Sequence, residues 1–277
     1  MVRIGQMNRL QAVKRIDAGL LLAGGEFGNI LLPRRYVTEA MAIGDELEVF
    51  VYLDSDDCII ATTLKPRVMV GECALLKVTD VNAAGAFLDW GLPKDLLVPY
   101  NEQHKPMEIG RSYVVTVYLD SYTNRITASS KLSHHLQERA SGLKIHQQVD
   151  LLICGRSDMG YKAVINQTHL GLIFRDDAFR PLSYGETLQG YIKHIRPDRK
   201  IDLSLQLQSH KGKDELAEKI LAHLAANHGV STLTDKSDPE AIYRQYHVSK
   251  GKYKNALSTL YKQRKILITE EQITLVK

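Results

Sequence analysis

Six side chains in the middle of the chain share one spacing. Phe87, Tyr118 and Arg125 recur 75 residues later as Lys162, Lys193 and Lys200, and 66 residues earlier as Leu21, Tyr52 and Ile59. A ring face can stack on a flat π-system, and an ammonium or guanidinium can hold an oxyanion. The middle triplet therefore offers stacking with charge, the later one charge alone, and the earlier one neither. No comparable grouping supports other chemistry. Cys58, Cys73 and Cys154 are odd in number and have no CxxC spacing, which argues against a disulfide framework or a zinc site and for a reducing compartment. The histidines are scattered, with His134-His135 adjacent but not convergent. Asp54, Asp120 and Asp198 fall near one strand end in separate copies, so they do not gather as metal-dependent hydrolysis requires. The expectation is no catalytic residue, no metal and no cofactor.

The spacing belongs to a repeat. The same two offsets carry Gly19 to Gly85 to Gly160, Gly44 to Gly110 to Gly185, Ile60 to Ile126 to Ile201, and Thr63 to Ser129 to Ser204, and VYLDS at 51–55 recurs letter for letter at 117–121. Such a period implies copies of one small unit in series. Within a copy the apolar period is two, as in Leu47–Leu53 and Tyr113–Leu119, which is the signature of strands. Roughly five short strands per copy fit a closed Greek-key barrel of the OB type, whose closure removes the exposed edges of so small a sheet. The predicted division is 1–66, 67–140 and 145–208 for three barrels, with equal strand registers in all three, and 212–277 for a further domain.

Strand parity then assigns faces. If Leu53, Leu119 and the residues two and four before them point inward, the six side chains and their earlier counterparts lie on the barrel exterior. Trp90 shares parity with Leu88 and has Ile165 as its counterpart, so it is assigned to the core. The competing reading of Phe87 and Tyr118 is packing against a neighbouring barrel, and that of any single lysine is ordinary solvation.

The second copy, GECALLKVTDVNAAGAFLDWGLPKDLLVP followed by EIGRSYVVTVYLDSYTNRITAS, resembles an S1 domain. Together with MGYKAVINQTHLGLIF and the helical C-terminal segment, the whole chain is similar to the conserved virulence factor B family of bacterial proteins. That resemblance implies three S1-like barrels before a winged helix, RNA binding and a regulatory role. S1-type barrels use the exterior face described above, where aromatics stack bases and cations hold phosphates. It places Phe87, Tyr118 and Arg125 in the RNA site of copy two. In copy three it adds Phe174, where the family has His or Pro, and Arg196 and Arg199 on the adjoining loop. Copies one and three depart from the S1 consensus, and the apolar triangle of copy one suits burial against copy two or a protein partner.

From Lys213 the period becomes helical, with Leu216, Ile220, Leu221 and Leu224 on one stripe and Gly229 as a stop. Asp238-Pro239 opens a second helix and Ser249 caps a third. Two strand-like runs, 265–268 and 272–276, complete the outline of an α+β winged helix. The third helix begins with Lys250, Lys252, Tyr253 and Lys254 and ends near Lys262 and Arg264. Cations at a helix N-terminus gain nothing from the helix dipole, so a phosphate on a partner is the motive assigned to them.

Charge follows the same direction. Residues 1–66 carry −2, 67–141 are neutral, 142–210 carry +2 and 211–277 carry +4. No apolar stretch reaches the roughly 20 residues of a membrane span, and no signal-peptide pattern opens the chain. The reading is a mainly β, non-enzymatic, cytoplasmic RNA-binding protein that contacts single-stranded RNA through copies two and three and the winged helix. Two alternatives remain: a DNA-binding transcriptional regulator acting through the winged helix, or a ribosome-associated adaptor using the face of copy one.

Overall fold

The computed structural model describes residues 1–206 and 210–276, with side chains outside 207–215. The chain is divided into two compact units, Met1–Gln137 and Glu138–Lys277.

The first unit holds two five-stranded sheets. In the first, β1 (Met7–Ile16), β2 (Gly19–Ala23), β3 (Asn29–Pro33), β4 (Glu46–Leu53) and β5 (Ile59–Thr62) close in the order β1-β2-β3-β5-β4. The second has β6 (Cys73–Asn82), β7 (Gly85–Asp89), β8 (Leu96–Pro99), β9 (Ser112–Leu119) and β10 (Ile126–Ser129), followed by the short helix α1 (Leu132–His135). Its strand order is the same, and β8 lies alongside β10 without a continuous ladder between them. The barrel is thus nearly closed.

The second unit begins with a closed barrel of β11 (Gln148–Arg156), β12 (Gly160–Ile165), β13 (His169–Phe174), β14 (Thr187–Ile195) and β15 (Ile201–Ser204), with the short helix α2 (Arg175–Ala178) after β13. The winged helix comprises α3 (His210–Ala226), β16 (Val230–Ser231), α4 (Pro239–Tyr246), α5 (Lys250–Lys262), β17 (Ile266–Ile268) and β18 (Ile273–Leu275). Asp238 caps α4 by accepting from the Glu240 N–H at 3.0 Å, and Ser249 caps α5 through the Lys252 N–H at 3.3 Å. Both caps are those the sequence places there.

The three copies share their strand geometry in detail. A bulge interrupts the first strand between Ala12 and Lys14, Val78 and Asp80, and Ile153 and Gly155. Gly19, Gly85 and Gly160 open the second strand at φ of 148°, 150° and 154°. A Cβ there would lie within 2.2 Å of the carbonyl oxygen of Leu32, Val98 or Ile173, so the third strand can approach only glycine.

The last hairpin departs from the expected equal registers in copies one and three; in copy three Ile195, rather than His194, pairs with Ile201 past the bulge at Lys193. In copy two Leu119 pairs with Ile126, whereas in copy one Leu53 pairs with Ile59. The hairpin of copy one is shorter by a residue, so Ile59, not Ile60, occupies the place of Ile126. A one-residue slip reverses the faces of a strand. Ile59 accordingly packs on the core of the first barrel, and Ile60 points out of it.

That outward face is covered. Phe50, Tyr52 and Ile60 join one apolar cluster with Leu76, Val78, Leu88, Trp90 and Val117 of the second barrel. The Phe50 and Trp90 rings meet edge to face at 5.7 Å, and the Trp90 indole N–H donates to the Lys94 carbonyl at 2.6 Å. Trp90 is core, as its parity requires.

Candidate nucleic-acid interface

The exterior residues fall into one cross-strand row. In copy two Phe87 on β7 stands opposite Leu97 on β8, and Tyr118 on β9 opposite Thr127 on β10. The closed barrels show how β8 and β10 join: Leu31 faces Ile60 in copy one, and Leu172 faces Asp202 in copy three. The row therefore reads Phe87, Leu97, Thr127, Tyr118. Four strands at about 4.8 Å spacing make a ledge roughly 14 Å long. Phe87, Leu97 and Tyr118 are each half-buried, with a ring at either end. Leu97 and Thr127 were not among the residues expected from the sequence, although extending the parity rule to those strands finds them.

Tyr118 has further company. Its ring lies 4.3 Å from that of His135, tilted by 32°, and His135 Nε2 sits 3.2 Å from Glu102 Oε2. Burial, followed by the nearby Glu102 and Asp120 carboxylates, pushes the Tyr118 phenol up to about 12. It is a neutral ring and hydrogen-bond donor at physiological pH. Nothing in the sequence points to His135, because α1 is brought back by the chain after β10.

Arg125 does not lie free beside this row. Its guanidinium forms a close ion pair with Asp57 of the first barrel, and Lys94 reaches Asp57 at 3.6 Å and the Asp54 carbonyl. The Arg125 hydrogen bond holds the Asp57 carboxyl below the usual carboxylate range. Arg125 is a seam residue first, with about half of its side chain still exposed.

The equivalent row in copy one is Leu21, Leu31, Ile60, Tyr52. Ile60, in place of the expected Ile59, and Tyr52 are buried in the seam. In copy three the row is Lys162, Leu172 and Asp202, with β14 bulged at Lys193. Of the expected cations, Lys162 and Lys200 are exposed, and among the described residues neither has a carboxylate within ion-pair distance. Lys193 instead donates to both oxygens of buried Asp177, at 2.7 and 2.9 Å. Arg196 makes a forked pair with Asp202, at 2.7 and 2.8 Å, and lies over the Phe174 ring at 5.5 Å. Arg199 donates to the Ala140 carbonyl at 2.5 Å. The all-lysine phosphate face expected here is thus two free lysines beside two cations paired with carboxylates, Lys193 and Arg196, and an exposed Arg199 held by a carbonyl.

The head of α5 is also engaged. Lys250 donates to the Lys236 carbonyl at 3.2 Å, and Lys254 lies 3.8 Å from Asp235. Lys252 donates to Gln206 at 2.8 Å and sits 4.8 Å from the centre of the Phe179 ring, against the third barrel. Burial is the main cause lowering its pKa. Tyr253 is fully buried, stacked on Tyr246 at 5.1 Å and donating to the Leu233 carbonyl at 2.8 Å. It is a core residue of the winged helix, not a contact. At the far end Lys262 and Arg264 are exposed.

Comparison with known proteins agrees with this geometry. The S1 domain family matches residues 4–64 and 70–131, and the CvfB-like winged helix domain matches 218–275. Conserved virulence factor B of Staphylococcus aureus (strain N315) is 25% identical over 291 residues, covering 99% of this chain and 94% of that protein. The chain carries two S1 domains and a CvfB-like winged helix domain, and over nearly its full length it is similar to proteins named conserved virulence factor B. Its relatives include YitL of Bacillus subtilis (strain 168), 27% identical over 281 residues, covering 96% of this chain and 91% of that protein. A crystal structure of a multidomain protein with nucleic acid binding domains from Streptococcus pneumoniae aligns over 99% of this chain and 98% of that one, at 22% identity and a TM-score of 0.42. With S1 domains and a winged helix, the protein is a nucleic-acid-binding protein. Among the described residues, no helix is long and apolar enough to cross a membrane.

Proposed function

We propose that the protein binds single-stranded RNA in the cytoplasm and acts as a post-transcriptional regulator, without catalysis. The observation that carries this reading is the half-exposed row of copy two, which offers a ring at each end. A single strand has unpaired bases to lay on such a ledge, while a duplex keeps its bases stacked internally. Lys162 and Lys200 of copy three supply backbone charge. Two features weigh against duplex DNA read by α5: Lys252 of its first turn is held by Gln206 and the Phe179 ring, and Tyr253 is buried. An adaptor role for the face of copy one is likewise disfavoured, because the Ile60–Tyr52 end of that face is buried against copy two. The test is competition at one fixed salt concentration. Single-stranded RNA should displace a labelled RNA probe well below the concentration at which duplex DNA does. Equal or stronger displacement by the duplex overturns the reading.

A further inference from the structure

Tyr122 stands at the tip of the β9–β10 hairpin and is 96% exposed, although the loop that carries it is highly organised. The Asp120 carboxylate accepts from the Tyr122 N–H at 2.9 Å, the Thr123 N–H at 2.8 Å and the Thr123 hydroxyl at 3.1 Å. The Asn124 N–H closes on the Asp120 carbonyl at 2.8 Å, with Asn124 at φ 54°. Arg125, the last residue of the loop, is pinned to Asp57 of the first barrel. The backbone under Tyr122 is therefore fixed from within by Asp120 and from outside by the seam.

An exposed aromatic on a mobile tip needs no explanation. Here the backbone is ordered, and the hairpin joins the two strands that carry Tyr118 and Thr127. Tyr122 lies beyond the end of the ledge, four residues on from Tyr118 in the same hairpin, a stretch that spans at most roughly 13 Å of extended chain. The matching tips differ: copy one has Ser55 and Asp56, and copy three has Pro197 and Asp198. The loop of copy one instead engages the second barrel through Asp57 and the Asp54 carbonyl. Only in copy two does the tip present a ring.

We infer that Tyr122 is a further base-stacking residue, extending the ledge of copy two by one unpaired base of a single-stranded nucleic acid. This rests on the proposed RNA-binding role of the Phe87–Tyr118 row. An ordered loop prepays the entropy of fixing the platform, so stacking is gained at the cost of one side chain.

The test uses the full chain and a single-stranded oligouridylate carrying one 2-aminopurine, whose emission drops on stacking. Trp90 is the one tryptophan, and its buried emission reports whether a variant keeps its fold. Tyr122→Ala should weaken binding by about 5- to 150-fold, the range for losing one stacked base, with Trp90 emission unchanged. Tyr122→Phe should keep the affinity. Wild-type affinity in Tyr122→Ala, with weakened binding in Phe87→Ala, overturns the role of Tyr122 and leaves the row standing. Wild-type affinity in both variants overturns the row as well.

Discussion

Replacing Lys162 and Lys200 together with Ala should lower the salt dependence of RNA binding, while replacing Lys193 should not. Each cation that neutralises a phosphate on a single strand contributes roughly 0.7 to the slope of log K against log salt. Counted from the sequence, the three lysines would give a drop of about 2. The structure removes Lys193 from the count, since both Asp177 oxygens hold its ammonium at 2.7 and 2.9 Å. The double variant should then lose about 1.4, so raising salt fourfold should weaken it roughly sevenfold less than the wild type. Lys193→Ala acts on folding instead, because it strands the Asp177 carboxylate, which is 5% exposed. With 31% of the Lys193 side chain exposed, the cost should be about 1.5–3 kcal/mol, typical of hydrogen bonds to charged groups, rather than the about 3–5 of a fully buried pair. Fluorescence anisotropy over a potassium chloride series gives the slopes, and thermal melts give the stability. If Lys193→Ala flattened the slope as much as Lys162→Ala did, the pair with Asp177 would not be holding the lysine from solvent.

Phe87→Ala and Tyr118→Ala should each weaken single-stranded RNA binding by about 1–3 kcal/mol in the same titrations, with the fold intact. Gly85→Ala should destabilise the first unit, because its Cβ would sit 2.2 Å from the Val98 carbonyl oxygen in a backbone region that costs other residues about 1–3 kcal/mol; a melt indistinguishable from wild type refutes this. Lys252→Ala should loosen the winged helix from the third barrel, removing a cation–π contact worth about 0.5–2 kcal/mol, and should show as faster proteolysis with little change in salt slope. Residues 1–66 expressed alone should expose Phe50, Tyr52 and Ile60 and aggregate, whereas residues 1–140 should remain monomeric by light scattering.

Much of this was legible because it is local. The glycines that open each second strand, the parity of Val49 and Val51 against Phe50 and Tyr52, and the caps at Asp238 and Ser249 all follow from short-range sterics and hydrogen bonding. Trp90 could be assigned to the core from its parity with Leu88. What escaped depends on partners far away in the chain. Lys193 looks free on its strand, and only the fold brings Asp177 of α2 beneath it. Tyr253 looks like a surface ring at the head of a helix until Tyr246 and Leu233 close over it. The slip at Ile59 and Ile60 comes from one residue fewer in a hairpin, which a gap-free alignment cannot register.

The three barrels show that one exterior row can be given three fates without altering the strands that carry it. Copy one fills the row with Leu21, Leu31, Ile60 and Tyr52, a set with no charge to keep it in water, and the second barrel covers the Ile60–Tyr52 end. Copy two keeps rings at both ends but places Thr127 between them, and its neighbours Leu97 and Phe87 stay half-exposed. Copy three puts Lys162 and Asp202 in the row, and a charged ledge resists burial because each unpaired ion would have to shed its hydration. The same cost explains why Asp202 and Asp177 recruit Arg196 and Lys193. Burying two carboxylates consumes two cations, so of the three aligned lysines of copy three only Lys162 and Lys200 stay free for an RNA backbone.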